Sequence, residues 1–326
     1  MDTTRRTFVG MSMAAATFAS NASQAAAQPA PRTKNKFWIA GVTPCDKNYE
    51  FDAAAYKEQF QWWKSQGADG ILVLGTNGEG PSFTLSERKK IAEFAVKNRN
   101  GLDIIVTTGT PNLKETIELS QHAAAIGADS VLVQPPFYFR NPDPDGIVRY
   151  FKAFLDKVSS PVHYYHIPQI TGVPIDVSVL QALKDYPQLI GMKNSRGNPE
   201  EFEAFSTGLP SRMNIISGTD NNMLAALKHG NGVILGSGNV YTKFVAAVFA
   251  AHRAGQDPKP AFDKLMAATS LMQANGYDSN YNAIKYALNQ VMGVNRISIC
   301  RLPHVPLSED QKAKIRAGVT QLKAMG

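Results

Sequence analysis

The chain has 326 residues, 44% of them hydrophobic and 19% charged, which supplies enough apolar side chain for a sizeable core and excludes a wholly disordered chain. Two cysteines, Cys45 and Cys300, are too few for a disulfide framework or a four-cysteine zinc site. The net charge of +7 is spread along the chain, without a Lys/Arg block interleaved with aromatics. Neither nucleic acid nor a membrane is therefore an expected partner, and an anionic substrate explains the balance equally well.

Residues 1–27 read as an address. Arg5 and Arg6 form a charged start, a short and mildly apolar run reaches Ser20, and Ala25-Ala26-Ala27 offers a small-residue cleavage site. The run is too short and too weak for a membrane span of about 20 residues. Thr4-Arg5-Arg6-Thr7-Phe8-Val9 resembles a twin-arginine export signal, which implies a folded protein delivered to the periplasm or secreted. Residues 28–35, with Pro29 and Pro31, are expected to be a linker.

From Phe37 onward, short apolar runs alternate with helical periodicity. The expected strands are Phe37–Thr43, Gly70–Leu74, Asp103–Thr108, Ser130–Gln134, Pro161–Ile167, Leu189–Met192, Met213–Ser217 and Gly232–Leu235. Continuous Val/Ile/Leu runs suit parallel strands buried on both faces. A helix after Phe83 has Thr84 or Ser86 as its cap, and Gly67, Gly127 and Gly230 sit where helices would end before strands. Gln66–Gly75 is echoed by Ile126–Pro135 and, more weakly, by His229–Gly238, as repeated helix–Gly–strand units would be. Eight such units across residues 36–254 predict an α/β fold, a closed (β/α)8 TIM barrel. An open doubly wound sheet is the alternative, but both nucleotide-binding glycine motifs fail: Gly236-Ser-Gly238 lacks its third glycine, and Gly75–Gly80 lacks the Gly-Lys-Ser/Thr ending. Residues 255–326 read as a C-terminal helical extension, with helices at Pro260–Asn275, Asn282–Met292 and Ser308–Met325.

In such a barrel, chemistry collects at the C-terminal ends of the strands. Lys193 closes Leu189-Ile-Gly-Met-Lys, the one expected strand that ends directly in lysine. A lysine at an apolar barrel mouth can shed its proton by desolvation and attack a keto group as an amine; the alternative is a strand-end lysine reaching solvent. Tyr165, one strand earlier, offers a phenol for proton transfer near an imine, or is a packed barrel tyrosine. His163 and His166 are three apart on a strand and face opposite ways, so a shared metal is not expected; one reads as structural and the other, His166, as a pocket residue. Lys285 lies in a helical pattern and reads as structural or as part of the pocket rim.

These motifs carry a family resemblance. Gly75-Thr76-Asn77-Gly78-Glu79, Pro135-Pro136-Phe137-Tyr138, Tyr165-His166-Ile167-Pro168, Gly191-Met192-Lys193 and Gly218-Thr219-Asp220 stand in the order and spacing of one family. From about Phe37 to Lys323 the chain resembles the dihydrodipicolinate synthase / N-acetylneuraminate lyase family of pyruvate-dependent class I aldolases. The resemblance implies a Schiff base between Lys193 and a 2-keto acid, with no cofactor or metal. It implies Tyr165 as acid/base, and Thr76 as relay between Tyr165 and a Tyr138 entering from a neighbouring subunit. Thr76 and Asn77 would hold the keto-acid carboxylate, and Gly218 and Ile234 would line the lysine pocket. A homo-oligomer, a tetramer of two tight dimers, is implied as well.

Three departures shape the expected function. Ile170 stands where synthases of the family carry an arginine for the acceptor's carboxylate, Asn77 replaces a hydroxyl residue, and Phe137 replaces the first of two tyrosines. The Ile170-Thr171-Gly172 ending is more similar to sialic acid lyases and 2-keto-3-deoxy sugar acid aldolases. The expected activity is cleavage or formation of a carbon–carbon bond between pyruvate and an aldehyde, on a 2-keto-3-deoxy or 4-hydroxy-2-keto acid. His166, Ser195, Asp220, Ser237 and Asn239 are expected to read substrate hydroxyls. The alternatives are a 2-keto-3-deoxy acid dehydratase or a 4-hydroxy-tetrahydrodipicolinate synthase using the same imine, and, from another class, an exported 2-keto acid binding protein without turnover.

Overall fold

A computed structural model describes residues 35–277 and 280–326. The expected leader, and all of the expected linker except Asn35, lie outside these residues. All eight expected strands form: β1 Phe37–Ala40, β2 Gly70–Val73, β3 Asp103–Thr107, β4 Ser130–Val133, β5 Val162–His166, β6 Leu189–Asn194, β7 Asn214–Ser217 and β8 Val233–Leu235. Each pairs in parallel with the next, and β8 returns to β1, so the sheet closes into a TIM barrel. β6 runs two residues further than its apolar pattern suggests. Its polar end still finds ladder partners, Tyr165 and Ile216 beside Lys193, and His166 and Ser217 beside Asn194.

Helices α1 Ala53–Ser65, α2 Leu85–Lys97, α3 Leu113–Ala125 and α4 Pro144–Leu155 follow the first four strands. After β5 come two short helices, α5 Pro168–Thr171 and α6 Val177–Gln181, and then α7 Pro199–Gly208, α8 Met223–Lys228 and α9 Gly238–Arg253 complete the ring. Their starts are chemically specified. Thr84 is the α2 cap, with a reciprocal capping box to Glu87, and Asp52, Asn112, Asp143 and Asn198 cap α1, α3, α4 and α7. Gly67 and Gly127 adopt φ of +95° and +86° where α1 and α3 turn back toward the sheet, a conformation that penalises any Cβ.

Two apolar regions result. Outward strand residues and the inner helix faces make the larger one, with Phe60, Trp63, Phe151, Phe205 and Phe249 fully buried. Inside the barrel a smaller cluster stacks Trp38, Leu72, Ile105, Leu132, Ile216 and Ile234 beneath Tyr165 and Ile167. This floor is filled, so any cavity must lie above it. The chain after α9 forms α10 Lys259–Ala274, α11 Tyr281–Met292 and α12 Glu309–Ala324. α10 packs on α9 and α12, and α11 packs on both of those helices.

Candidate active site

Strand alternation decides which side chains enter the barrel. Tyr165 and Lys193 are ladder partners on β5 and β6 and both point inward, to the upper surface of the apolar floor. Lys193 is 4% exposed; its Nζ donates to Tyr165 Oη at 3.4 Å and lies 4.6 Å from that ring's centroid. Thr76, in the turn after β2, places Oγ1 3.2 Å from the same phenol. Amine, phenol and threonine hydroxyl thus form one line.

Two glycines keep space around that line. A Cβ on Gly218 would fall 2.0 Å from Ser195 Oγ and 2.9 Å from Lys193 Cε, and a Cβ on Gly236 would fall 2.4 Å from Asn77 Nδ2. Above them opens a cavity of about 1070 Å³, lined by Thr76, Asn77, Tyr165, Lys193, Ser195, Gly218, Asp220 and Ser237 among others. Ser237 donates to Asp220 Oδ1 at 2.7 Å. Burial raises the Asp220 carboxyl above the usual range, against the opposing pull of that hydroxyl. A smaller cavity of about 220 Å³ lies on the other side of Thr76 and Tyr165, bounded by Phe137, Ile170, Tyr281 and His304.

Several residues expected at the site are not brought there. His166 follows Tyr165, so it points out of the barrel, where its fully buried ring faces Glu201 and Phe205; it lines neither cavity. Asn239 also stays out of the cavity, contrary to expectation. Its side chain donates to the carbonyls of Ala40 and Gly236 and accepts from Val42 N, which spends it on tying the start of α9 to β1. Ile234 belongs to the apolar floor beneath the lysine. Tyr138, expected to act from a neighbouring subunit, is 77% exposed and lines neither cavity of its own chain, where that expectation requires no place for it. His163 does point inward, but low in the barrel beside Leu132, with no partner for either ring nitrogen among the described residues. Burial pushes it down to about 4.

The helical extension supplies features that the sequence reading missed. Thr269, Ser270 and Gln273 of α10 and Tyr281 of α11 form part of the larger cavity's wall, and Tyr281 borders both cavities. Nothing in local periodicity tells where a terminal helix will dock. Lys285 lines neither cavity: it is fully buried and ion-paired to Glu79 at 2.6 Å. Lys285 Nζ also donates to the Ile299 carbonyl at 2.7 Å, and Arg301 N donates to Glu79 at 2.8 Å. Glu79 closes the Thr76–Asn77 turn in a left-handed conformation, φ +54°, so this pair joins the turn to the extension. Nearby, Cys45 and Cys300 are free, buried thiols, both raised by desolvation and Cys300 to about 12. Among the described residues, no three His, Cys, Asp or Glu side chains converge as metal ligands would, and no helix is long and apolar enough to cross a membrane.

Comparison with known proteins matches this geometry to one family. The profile of the Dihydrodipicolinate synthetase family matches residues 34–322. An uncharacterized DapA-like lyase of Chloroflexus aurantiacus is 35% identical over 79% of this chain and 86% of its own length. A 4-hydroxy-tetrahydrodipicolinate synthase of Acidiphilium cryptum is 32% identical over 87% and 97%. Among solved structures, YagE of Escherichia coli K12, a prophage protein of the dihydrodipicolinic acid synthase family in complex with pyruvate, superposes with a TM-score of 0.81 at 26% identity, covering 88% of this chain and 98% of YagE. The chain therefore belongs to the dihydrodipicolinate synthetase family and is an enzyme of its carbon–carbon lyase and synthase class.

Proposed function

We propose that this enzyme makes or cleaves the bond between pyruvate and a neutral, hydroxyl-bearing aldehyde, through an imine on Lys193. The observation that carries this reading is the line Lys193 Nζ–Tyr165 Oη–Thr76 Oγ1, with steps of 3.4 and 3.2 Å, beneath a roomy cavity. In the cleavage direction Lys193 adds to C2 of a 4-hydroxy-2-keto acid and water leaves, giving an iminium that accepts electrons from the C3–C4 bond. Tyr165 takes the C4 hydroxyl proton as that bond breaks and the aldehyde departs. The enamine is then protonated at C3, and water hydrolyses the imine to release pyruvate and free Lys193. Donors of Thr76 and Asn77 hold the keto-acid carboxylate, and no cofactor takes part.

The neutral acceptor follows from the lining. Apart from Lys193, no lysine or arginine lines the large cavity among the described residues, and Ile170 occupies the rim. Ser195, Asp220, Ser237, Thr269, Ser270 and Gln273 suit hydroxyl groups rather than a second carboxylate. The functional unit in this proposal is a dimer, two of which make a tetramer. Tyr138 and Phe139 are 77% and 69% exposed, and Tyr138 of one subunit would enter the smaller cavity beside Thr76 of the other. The first 27 residues would direct export, leaving the enzyme periplasmic or secreted.

The test is incubation with pyruvate and borohydride, digestion, and location of the adduct by mass spectrometry. A reduced pyruvyl group on Lys193 is expected; an intact protein without it overturns the imine. Release of pyruvate from 2-keto-3-deoxy acids separates the aldolase from a dehydratase, which would retain the carbon skeleton. Mixing Lys193→Ala with Tyr138→Phe subunits tests the shared site, since hybrid dimers regain one complete site only if Tyr138 acts across the interface.

A further inference from the structure

Behind the site, on the sides of β5 and β6 that face the helices, lies a polar group the chemistry above does not use. Tyr165 and Lys193 point inward, so the residues after them, His166 and Asn194, point outward. Both converge on one carboxylate, Glu201, on the first turn of α7. Asn194 Nδ2 donates to Glu201 Oε1 at 3.0 Å, and His166 Nε2 lies 3.3 Å from the same oxygen. The other oxygen accepts from Arg196 Nη1 at 2.7 Å. Glu201 is itself placed by the helix start, where its N–H donates to the Asn198 cap at 2.8 Å.

The tie acts on the last ladder pair of these strands. The β5–β6 register shifts between Val162 and His163 and then runs through consecutive pairs from His163–Gly191 to His166–Asn194, so a group that grips the last pair from behind also fixes the pair before it, Tyr165 and Lys193. Above that irregularity sit the two groups whose separation decides proton transfer. We propose that Glu201 is a positioning residue, which holds His166 and Asn194 together from behind and thereby keeps Lys193 Nζ and Tyr165 Oη in reach of each other. This rests on the imine reading, and the experiment below separates the two.

In Glu201→Ala the strand ends lose their common anchor. A displacement of this kind costs about 10- to 100-fold in kcat, with KM for the keto acid little changed. Glu201→Gln, which keeps an oxygen acceptor for Asn194 and the packing against His166, recovers most of the loss. The diagnostic measurement is the pairing with Tyr165→Phe. If Glu201 acts through the Lys193–Tyr165 alignment, Glu201→Ala slows a Tyr165→Phe enzyme hardly at all. A merely structural role lowers the melting temperature without changing kcat of the folded protein, or slows both backgrounds equally. Either result overturns the proposal. If Glu201→Ala does not fold, Asn194→Ala and His166→Leu each cut one link, and unchanged kcat in both overturns it as well. Wild-type enzyme without a pyruvate adduct on Lys193 removes the imine reading and this proposal with it; a wild-type adduct alongside unimpaired Glu201→Ala removes this proposal alone.

Discussion

The lower and upper halves of the barrel interior are built from the same strands, two residues apart. β5 carries His163 below and Tyr165 above, and β6 carries Gly191 below and Lys193 above. On β7 and β8, Ile216 and Ile234 give way to Gly218 and Gly236. Two residues along a strand span about 6.6 Å, and over that distance a filled apolar floor becomes a polar cavity. The two interior bases show the difference best. His163 has no hydrogen-bond partner among the described residues and is held neutral by burial, whereas Lys193 reaches a phenol that reaches a threonine hydroxyl. Burial by itself silences a base; burial with a partnered proton path is what a catalytic one needs.

The largest test of that contrast removes the path and keeps the base. Tyr165→Phe is expected to lower kcat by about 10²- to 10⁴-fold, the usual worth of a positioned acid/base group, while borohydride still traps pyruvate slowly on Lys193. Retention of near wild-type kcat would show that the phenol is packing, as His163 is.

A second test concerns how the mouth tolerates charge. Glu79 and Lys285 are at most 1% exposed, yet unlike His163 each has a partner at 2.6 Å. Lys285→Met leaves the buried Glu79 without its counter-charge, keeping only the Arg301 N–H, which costs about 3–5 kcal/mol, readable as a lower denaturant midpoint. Changing Glu79 and Lys285 together to apolar residues is expected to recover much of that stability. A single variant as stable as the wild type would mean that the pair does not anchor the Thr76 turn.

Much of this arrangement is legible in the chain. The strands announce themselves as short apolar runs, helix ends carry Gly67 and Gly127, and Lys193 stands out because it ends a strand that is otherwise apolar. What was misplaced was misplaced for local reasons. His166 stands beside Tyr165 in sequence, yet neighbours on a strand cannot both face inward, so it misses the pocket. Asn239 follows β8 closely in sequence but lies in the first turn of α9, and its partners include the Ala40 carbonyl and the Val42 N–H, nearly two hundred residues away in sequence. Tyr281 and Gln273 reach the site, and Glu201 reaches the back of β5 and β6, through the docking of whole helices. That docking is set by the summed apolar faces of α7, α10 and α11, and no short motif records it.

The smallest effect belongs to the floor, and it is a dependence on pH. His163 has a folded-state pKa of about 4 against an ordinary value of 6.5. Between those values the unfolded chain binds a proton that the folded one refuses, so the contribution is intact above pH 6.5 and is lost as pH falls from there to about 4. The full loss is on the order of 3 kcal/mol. Leu132 and the apolar floor beside His163 suit a side chain of similar volume, so His163→Leu is expected to fold normally and to be at least as stable at pH 7, because it removes two unpartnered buried nitrogens. Its advantage over the wild type should then widen as pH falls toward 4.5. His166 is also lowered by burial, but it is present in both proteins and cancels in the difference. Denaturant titrations of both proteins from pH 7.5 to 4.5 measure the gap. A gap that does not move with pH would mean that the floor holds a proton partner for His163, and the contrast between the silent base and the working one would have to be drawn elsewhere.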